Sequence, residues 1–133
     1  MGNDNCRMKF RRQQIDTATL PKRILEKWPA STLTEGFVPF PKKLLRRMRE
    51  IFGDEDPLEA LAVVLAIVDF KRPDLPRPPS TEFLSYVAGM EQIEFERVLK
   101  RLEQRGLVRI SGDQEQLDVS LDGLVALMEK EGD

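Results

Sequence analysis

The stretch that decides the fold spans residues 79–108 and reads PSTEFLSYVAGMEQIEFERVLKRLEQRGLV. Ser80 begins a short amphipathic segment, and a serine at that position caps the unpaired N–H groups of a helix start. Gly89 interrupts the segment, and a second helical segment then covers residues 91–105. This order predicts two helices joined by a tight turn, a helix-turn-helix from Pro79 to Leu107.

Apolar residues recur at helical spacing in both segments, which predicts that each helix buries one side. The predicted buried residues are Phe83, Leu84, Val87 and Ala88 in the first helix and Phe95, Val98, Leu99 and Leu102 in the second. Gly106 follows the second helix, and a glycine there permits the sharp turn that ends a helix.

A β-hairpin is predicted directly after the second helix. Residues 107–111 and 116–120 are short strand candidates, and Gly112-Asp113 between them has the composition of a turn. Ser120 is then expected to cap a last helix, with Leu121, Leu124, Val125 and Met128 facing inward. The pattern predicts a mainly α fold with a small β-hairpin wing.

The segment resembles the winged helix-turn-helix of bacterial DNA-binding proteins. The resemblance rests on Gly89 followed by the apolar Met90, on the periodic apolar residues of the second helix, and on Leu102-Glu103-Gln104-Arg105-Gly106-Leu107, an L-x-x-x-G-L pattern. It implies a winged-helix fold and double-stranded DNA as the partner. A plain helical hairpin remains the alternative fold.

The upstream sequence is similar to a narrower group. GFVPFPKKLLRRM at residues 36–48, an apolar helix, a proline-bearing loop and PSTEFL at residues 79–84 resemble the N-terminal domain of DnaD-like and phage replication initiation proteins. That resemblance implies a strand and a helix ahead of the winged-helix core, and a domain that often forms a homodimer.

The whole chain is predicted to divide into a basic, partly flexible N-terminal arm, residues 1–36, and a winged-helix domain, residues 37–133. A short helix is expected over residues 20–28, an extended segment over 37–40 and one helix from Pro41 to Phe52. Asp56 is expected to cap a buried helix that runs to Phe70, with Pro57 in its first turn and Glu59 completing a capping box.

If helix 91–105 enters the major groove, its outward side chains contact DNA. Those side chains are predicted to be Gln92, Ile93, Glu96, Arg97, Lys100 and Arg101. Gln92 is suited to adenine and Arg97 to guanine, whereas Lys100 and Arg101 are suited to phosphate.

Further phosphate contacts are expected from cations outside that helix. The candidates are Lys42, Lys43, Arg46 and Arg47 on the helix after Pro41, Arg109 at the base of the wing, and the arm Arg7–Arg12. Residues 1–49 hold 12 Lys/Arg against 4 Asp/Glu, whereas residues 50–133 hold 9 against 19. The asymmetry indicates a basic region that meets an anion, or one that packs on acidic protein.

The second helix also has features that favour a different function. Its cations alternate with Glu91, Glu94, Glu96 and Glu103, and the wing loop 112–116 is acidic. The helix glutamates and the wing loop both repel phosphate. Ion pairs such as Glu94–Arg97 and Glu96–Lys100 would make this a solvated face. The alternative function is therefore a winged-helix module that binds a protein partner or a second copy of itself.

The composition argues against several other classes. The chain has no histidine and a single cysteine, Cys6, so neither histidine-based catalysis nor a usual zinc site is expected. No nucleophile–base pair or phosphate-binding glycine loop is present. We therefore expect that the protein is not an enzyme and that it binds no metal and no cofactor. The start lacks the apolar core of a signal peptide, and the apolar run 58–70 is too short for a bilayer. We expect a cytoplasmic protein without a membrane partner.

Overall fold

The computed structural model describes residues 16–36, 38–71 and 77–130, and the chain separates into two compact units between Pro39 and Phe40. In the first unit, helix α1 spans Lys22–Lys27, between 3-10 turns at Thr17–Thr19 and Ala30–Thr32. The predicted helix over residues 20–28 is therefore present but shorter at both ends. Trp28 follows it and is 60% exposed.

The second unit contains six helices and one hairpin among the described residues. They are α2 (Lys42–Arg46), α3 (Met48–Phe52), α4 (Pro57–Asp69), α5 (Thr81–Ala88), α6 (Gln92–Gln104), β1 (Arg109–Gly112), β2 (Leu117–Ser120) and α7 (Asp122–Lys130). The predicted mainly α fold with a small β-hairpin wing is confirmed. The order of these elements is compatible with a winged helix.

Helix α4 lies at the centre of the core, as its composition predicts. Ala60, Val63, Val64 and Ile67 are almost completely buried, because α3, α5 and α6 all pack against this helix. Burial of aliphatic side chains is the main favourable contribution to folding. The other fully buried side chains come from the remaining helices of the unit and include Leu44, Ile51, Phe52, Leu84, Phe95, Val98, Leu102 and Leu124.

The helix-turn-helix forms where the sequence predicts it. The Ser80 hydroxyl accepts a hydrogen bond from the Phe83 N–H at 3.0 Å and so caps α5. Gly89 ends α5 in the left-handed conformation (φ 76°), and the Met90 N–H reaches back to the Ser85 carbonyl at 3.0 Å. A side chain rarely adopts that φ, so glycine is the residue suited to this joint.

The hairpin forms an antiparallel pair in which Ile110 faces Val119 across the ladder. Its four-residue loop is held by the Asp113 carboxylate, which accepts the N–H groups of Glu115 and Gln116 at 3.0 Å each. The residues before α5 add a third segment to this edge, since the Pro79 carbonyl accepts a hydrogen bond from the Leu117 N–H at 2.9 Å. The hairpin is thereby tied to the start of the helix-turn-helix.

The prediction of a single helix from Pro41 to Phe52 is wrong, because the segment forms two helices. Arg47 (φ −119°, ψ 27°) departs from helical geometry and divides the segment into α2 and α3. The hydrogen bonds from Arg47 N–H to Lys43 and from Ile51 N–H to Arg47 persist, so the break is a kink. Leu45, in the last turn of α2, is 49% exposed.

The predicted cap of α4 is also wrong. Asp56 precedes the helix in the left-handed conformation (φ 45°), and its side chain makes no capping hydrogen bond. In that conformation a side chain does not take the extended geometry that directs an N-cap oxygen toward the first turn. Pro57 does occupy the first turn, where its missing N–H costs nothing.

Two further expectations differ from the structure. Val38, Pro39 and Phe40, where the second resemblance implies a strand, pair with no strand among the described residues, and Phe37 lies outside them. Prolines at 39 and 41 remove the N–H groups that a ladder needs. Val125 is 46% exposed rather than inward, and Leu124 is the buried residue of α7.

Candidate nucleic-acid interface

Helix α6 buries one side and presents the opposite side to solvent. Phe95, Val98, Leu99 and Leu102 are buried, as predicted from their spacing. The helix spans Gln92–Gln104, one residue shorter at each end than the predicted 91–105. Its capped partner α5 and the wing hold it in place, so the exposed side has a fixed orientation in the second unit.

The exposed side of α6 is a ridge formed by Ile93, Arg97, Lys100 and Gln104, which we call the α6 ridge. Ile93 is 76% exposed, the most exposed of the large hydrophobic side chains in the described part of the chain. Gln92, predicted to read adenine, is half-buried and donates a hydrogen bond to Glu96 Oε1 at 3.3 Å. It lies on the flank of the ridge that faces the wing.

On the other flank, two arginines of α6 contact the start of α4. Arg97 Nη2 lies 3.8 Å from Glu59 Oε2, and Arg101 Nη2 donates to the Asp56 carbonyl at 3.3 Å. Both arginines were predicted to contact DNA. Within the described residues Arg97 forms its ion pair with Glu59 and none with Glu94, the partner expected from helical spacing.

The same cluster contains two buried polar atoms that have no hydrogen-bond partner among the described residues, Glu59 Oε1 and Arg101 Nε. A buried polar atom without a partner lowers stability, because it loses its hydrogen bonds to water. Burial raises the pKa of the Glu59 carboxyl above its ordinary value of 4.5, and the neighbouring Asp56 carboxylate raises it further. Arg97 and Arg101 act in the opposite direction.

The wing side of α6 is acidic and internally bonded. Gln114 Nε2 lies 3.2 Å and 3.1 Å from the two carboxylate oxygens of Glu96, which ties the wing loop to the helix. Helical spacing suggested an ion pair between Glu96 and Lys100. In the described structure Glu96 instead accepts hydrogen bonds from two glutamines, Gln92 and Gln114. Asp113 and Glu115 are exposed on the loop, and they place negative charge beside this flank.

The cations predicted to bind phosphate outside α6 are in different environments. Lys42 and Arg46 are exposed on α2, and Arg109 is exposed on β1. Lys43 Nζ instead donates to the Met128 carbonyl of α7 at 3.1 Å, and Arg47 is half-buried at the kink. The arm Arg7–Arg12 lies outside the described residues.

Beside α2 and α3 lies an open groove of about 960 Å³ that reaches the start of α4. Its walls include the exposed side chains of Leu45 (49%) and Leu58 (69%), together with the charged residues Arg46, Arg49 and Asp54. The groove has both apolar and charged walls, a composition common to protein-binding surfaces.

Several residues of this surface were not recognised from the sequence. Glu59 was read as part of a capping box, and Gln114 as a turn residue. Arg105 Nη2 donates to the Ile51 carbonyl at 3.3 Å and so joins the end of α6 to the end of α3. Each of these contacts joins residues far apart in sequence, so local spacing carried no signal for them.

No helix in the described part of the chain is long and apolar enough to cross a bilayer. Among the same residues, no group of three or more histidine, cysteine, aspartate or glutamate side chains is placed to hold a metal ion. Comparisons with protein-family models, with curated proteins and with solved structures found no match to this chain.

Proposed function

We propose that this chain binds double-stranded DNA and places the α6 ridge in the major groove. The observation that carries the proposal is the ridge itself: a helix held by a glycine joint and a wing, with one side buried and the other exposed. A helix in that position is the element by which helix-turn-helix proteins read base edges. The proposal includes a role in transcription regulation or replication initiation, in the cytoplasm and without catalysis.

Within the ridge, each side chain has a chemical role toward DNA. Lys100 is exposed and carries no ion pair among the described residues, which makes it the direct phosphate ligand. Ile93 offers an apolar contact for a thymine methyl group, and Arg97 has the planar fork that fits guanine. Arg97 is 59% exposed, so it can turn from Glu59 toward a base.

Exposed Lys42 and Arg46 on α2 are proposed as additional phosphate ligands. Lys43 is a weaker candidate than the sequence suggested, since its ammonium group is held by α7. The acidic loop of the wing, with Asp113 and Glu115, is unsuited to phosphate. The proposed docking therefore uses the ridge and α2, and keeps the wing loop away from the DNA backbone.

The test is a titration of the full chain into labelled duplexes of several sequences, between about 50 mM and about 200 mM salt. Lys42→Ala should weaken all duplexes alike and reduce the salt slope by about 1, whereas Arg97→Ala should flatten the preference among sequences. Lys130→Ala removes an equal charge from the exposed end of α7 and serves as the control. Absence of binding at the lowest salt, or equal effects of all three substitutions, would contradict the proposal.

A second candidate function, protein binding or homodimerisation, is favoured by one specific observation. Ile93 (76%), Leu58 (69%) and Leu45 (49%) are exposed apolar side chains, and the last two line the groove beside α3. Exposed apolar side chains beside a groove are a feature of protein interfaces. Light scattering that shows a dimer, together with no affinity for DNA at low salt, would favour this function over the first.

A further inference from the structure

We propose that Glu59 competes with DNA for Arg97, and that it holds this arginine against the start of α4 until a duplex replaces it. The inference rests on the DNA-binding function proposed above and concerns how that same surface is regulated. Glu59 is on α4, yet its carboxylate pairs with an arginine of the α6 ridge.

A carboxylate and a phosphate present similar ligands to a guanidinium group, because both offer paired anionic oxygens. Glu59 therefore occupies the position beside Arg97 that an acceptor oxygen of DNA would take. The Nη2–Oε2 separation of 3.8 Å is longer than a hydrogen bond, and the Arg97 side chain is 59% exposed. An ion pair of that kind is weak and exchanges readily.

The cluster is also incompletely satisfied, and this favours exchange. Glu59 Oε1 and Arg101 Nε are buried and have no hydrogen-bond partner in the described part of the chain. Arg101 Nη2 donates a hydrogen bond to the Asp56 carbonyl at 3.3 Å and not to the Glu59 carboxylate. A fully bonded network would resist rearrangement, whereas here the exposed Arg97 keeps N–H groups that DNA can accept.

The groups that face Glu59 come from two directions. Asp56 precedes it at the start of α4, and Arg97 and Arg101 face it from α6. Protonation of Glu59 removes the carboxylate charge that retains Arg97. Because burial and Asp56 raise the pKa of Glu59, this release begins at a higher pH than for an exposed glutamate. The chain has no histidine that would titrate in the same range.

The decisive variant is Glu59→Gln, which removes the charge and keeps the side-chain size. In a fluorescence-anisotropy titration of the full chain at about 50 mM salt, it should bind duplex about fivefold more tightly than the unmodified chain. The plot of log affinity against log salt should be steeper by about 1, since the positive charge of Arg97 is then no longer neutralised by Glu59.

The matched control is Glu55→Gln. Glu55 is exposed in the loop before α4 and forms no ion pair with either arginine among the described residues, so the same charge change leaves the cluster intact. It should give a smaller gain in affinity and an unchanged salt slope. The double variant Glu59→Gln/Arg97→Ala should lose the gain that Glu59→Gln gives alone.

A pH series adds a second readout. Affinity of the unmodified chain should rise as the pH falls from about 7 to about 5, and Glu59→Gln should show less of that rise. If the unmodified chain binds DNA but Glu59→Gln behaves as Glu55→Gln does, this inference is overturned and the DNA-binding function stands. If the unmodified chain and both single variants all fail to bind at low salt, the function and the inference fail together.

Discussion

Glu59 is an acidic side chain whose ionisation opposes folding, although two arginines lie beside it. Its pKa is raised in the folded protein, first by burial and then by Asp56. A carboxyl with a raised pKa binds its proton more tightly when folded, so its contribution to stability is present below the ordinary pKa of 4.5. That contribution is lost as the pH rises through the raised value.

Glu59→Gln should therefore raise stability relative to the unmodified chain more at pH 7 than at about pH 4.5. The amide cannot ionise, so the variant does not lose the contribution that the glutamate loses as the pH rises. Urea unfolding at a series of pH values measures the difference between the two proteins. A difference that stays constant across the series, or that grows toward acid, would show that the pKa of Glu59 is not raised.

Contacts between whole elements decide which glycines the fold requires. Gly123 lies in α7, and a Cβ added there would overlap the carbonyl oxygen of Gly106 at the exit of α6. The Leu124 N–H also donates to the Leu107 carbonyl at 2.9 Å, so α7 lies against this turn. At Gly89, by contrast, an added Cβ meets no atom, and only the positive φ requires glycine.

Gly123→Ala should lower the free energy of unfolding by about 1–3 kcal/mol, as expected when atoms are forced into a packed contact. Helix propensity alone predicts the opposite, a gain of up to about 1 kcal/mol. Ala126→Gly, at an exposed position of the same helix, measures the propensity term separately. Chemical denaturation gives both values, and a stabilised Gly123→Ala protein would show that α7 does not approach Gly106 this closely.

At the scale of the whole molecule, the second unit contains nearly all of the buried apolar side chains in the described residues. They run from Leu44 in α2 to Leu124 in α7, and only Leu33 precedes them. A unit that has its own hydrophobic core can fold without the rest of the chain. The boundary between the units is the Pro39–Phe40 bond.

A fragment of residues 40–133 should therefore unfold cooperatively, with a urea midpoint close to that of the full chain. Cooperative unfolding reports a packed core, and most of this core lies inside the fragment. Circular dichroism during urea titration, with the full chain as the control, measures both midpoints. A broad transition, or a fragment that lacks helical signal in water, would mean that residues before Phe40 complete the core.

Much of the second unit could be predicted because its signals are local. Ser80, Gly89 and the apolar period of α6 each act within a few residues, and each is observed where it was expected. Asp56 and the kink at Arg47 were mispredicted, because their backbone conformations depend on packing that no short pattern records. The DNA-facing roles of the α6 ridge remain predictions.

What the sequence determined by itself is the order of the elements and the buried side of α6, since capping, turn geometry and helical periodicity depend on neighbouring residues. What the tertiary structure alone decided is the partner of each charged side chain. Arg97 has acidic neighbours on its own helix, yet it pairs with Glu59 from α4. The physical reason is that ion pairs form wherever folding brings opposite charges together, and the separation between the charges is set by how the helices pack.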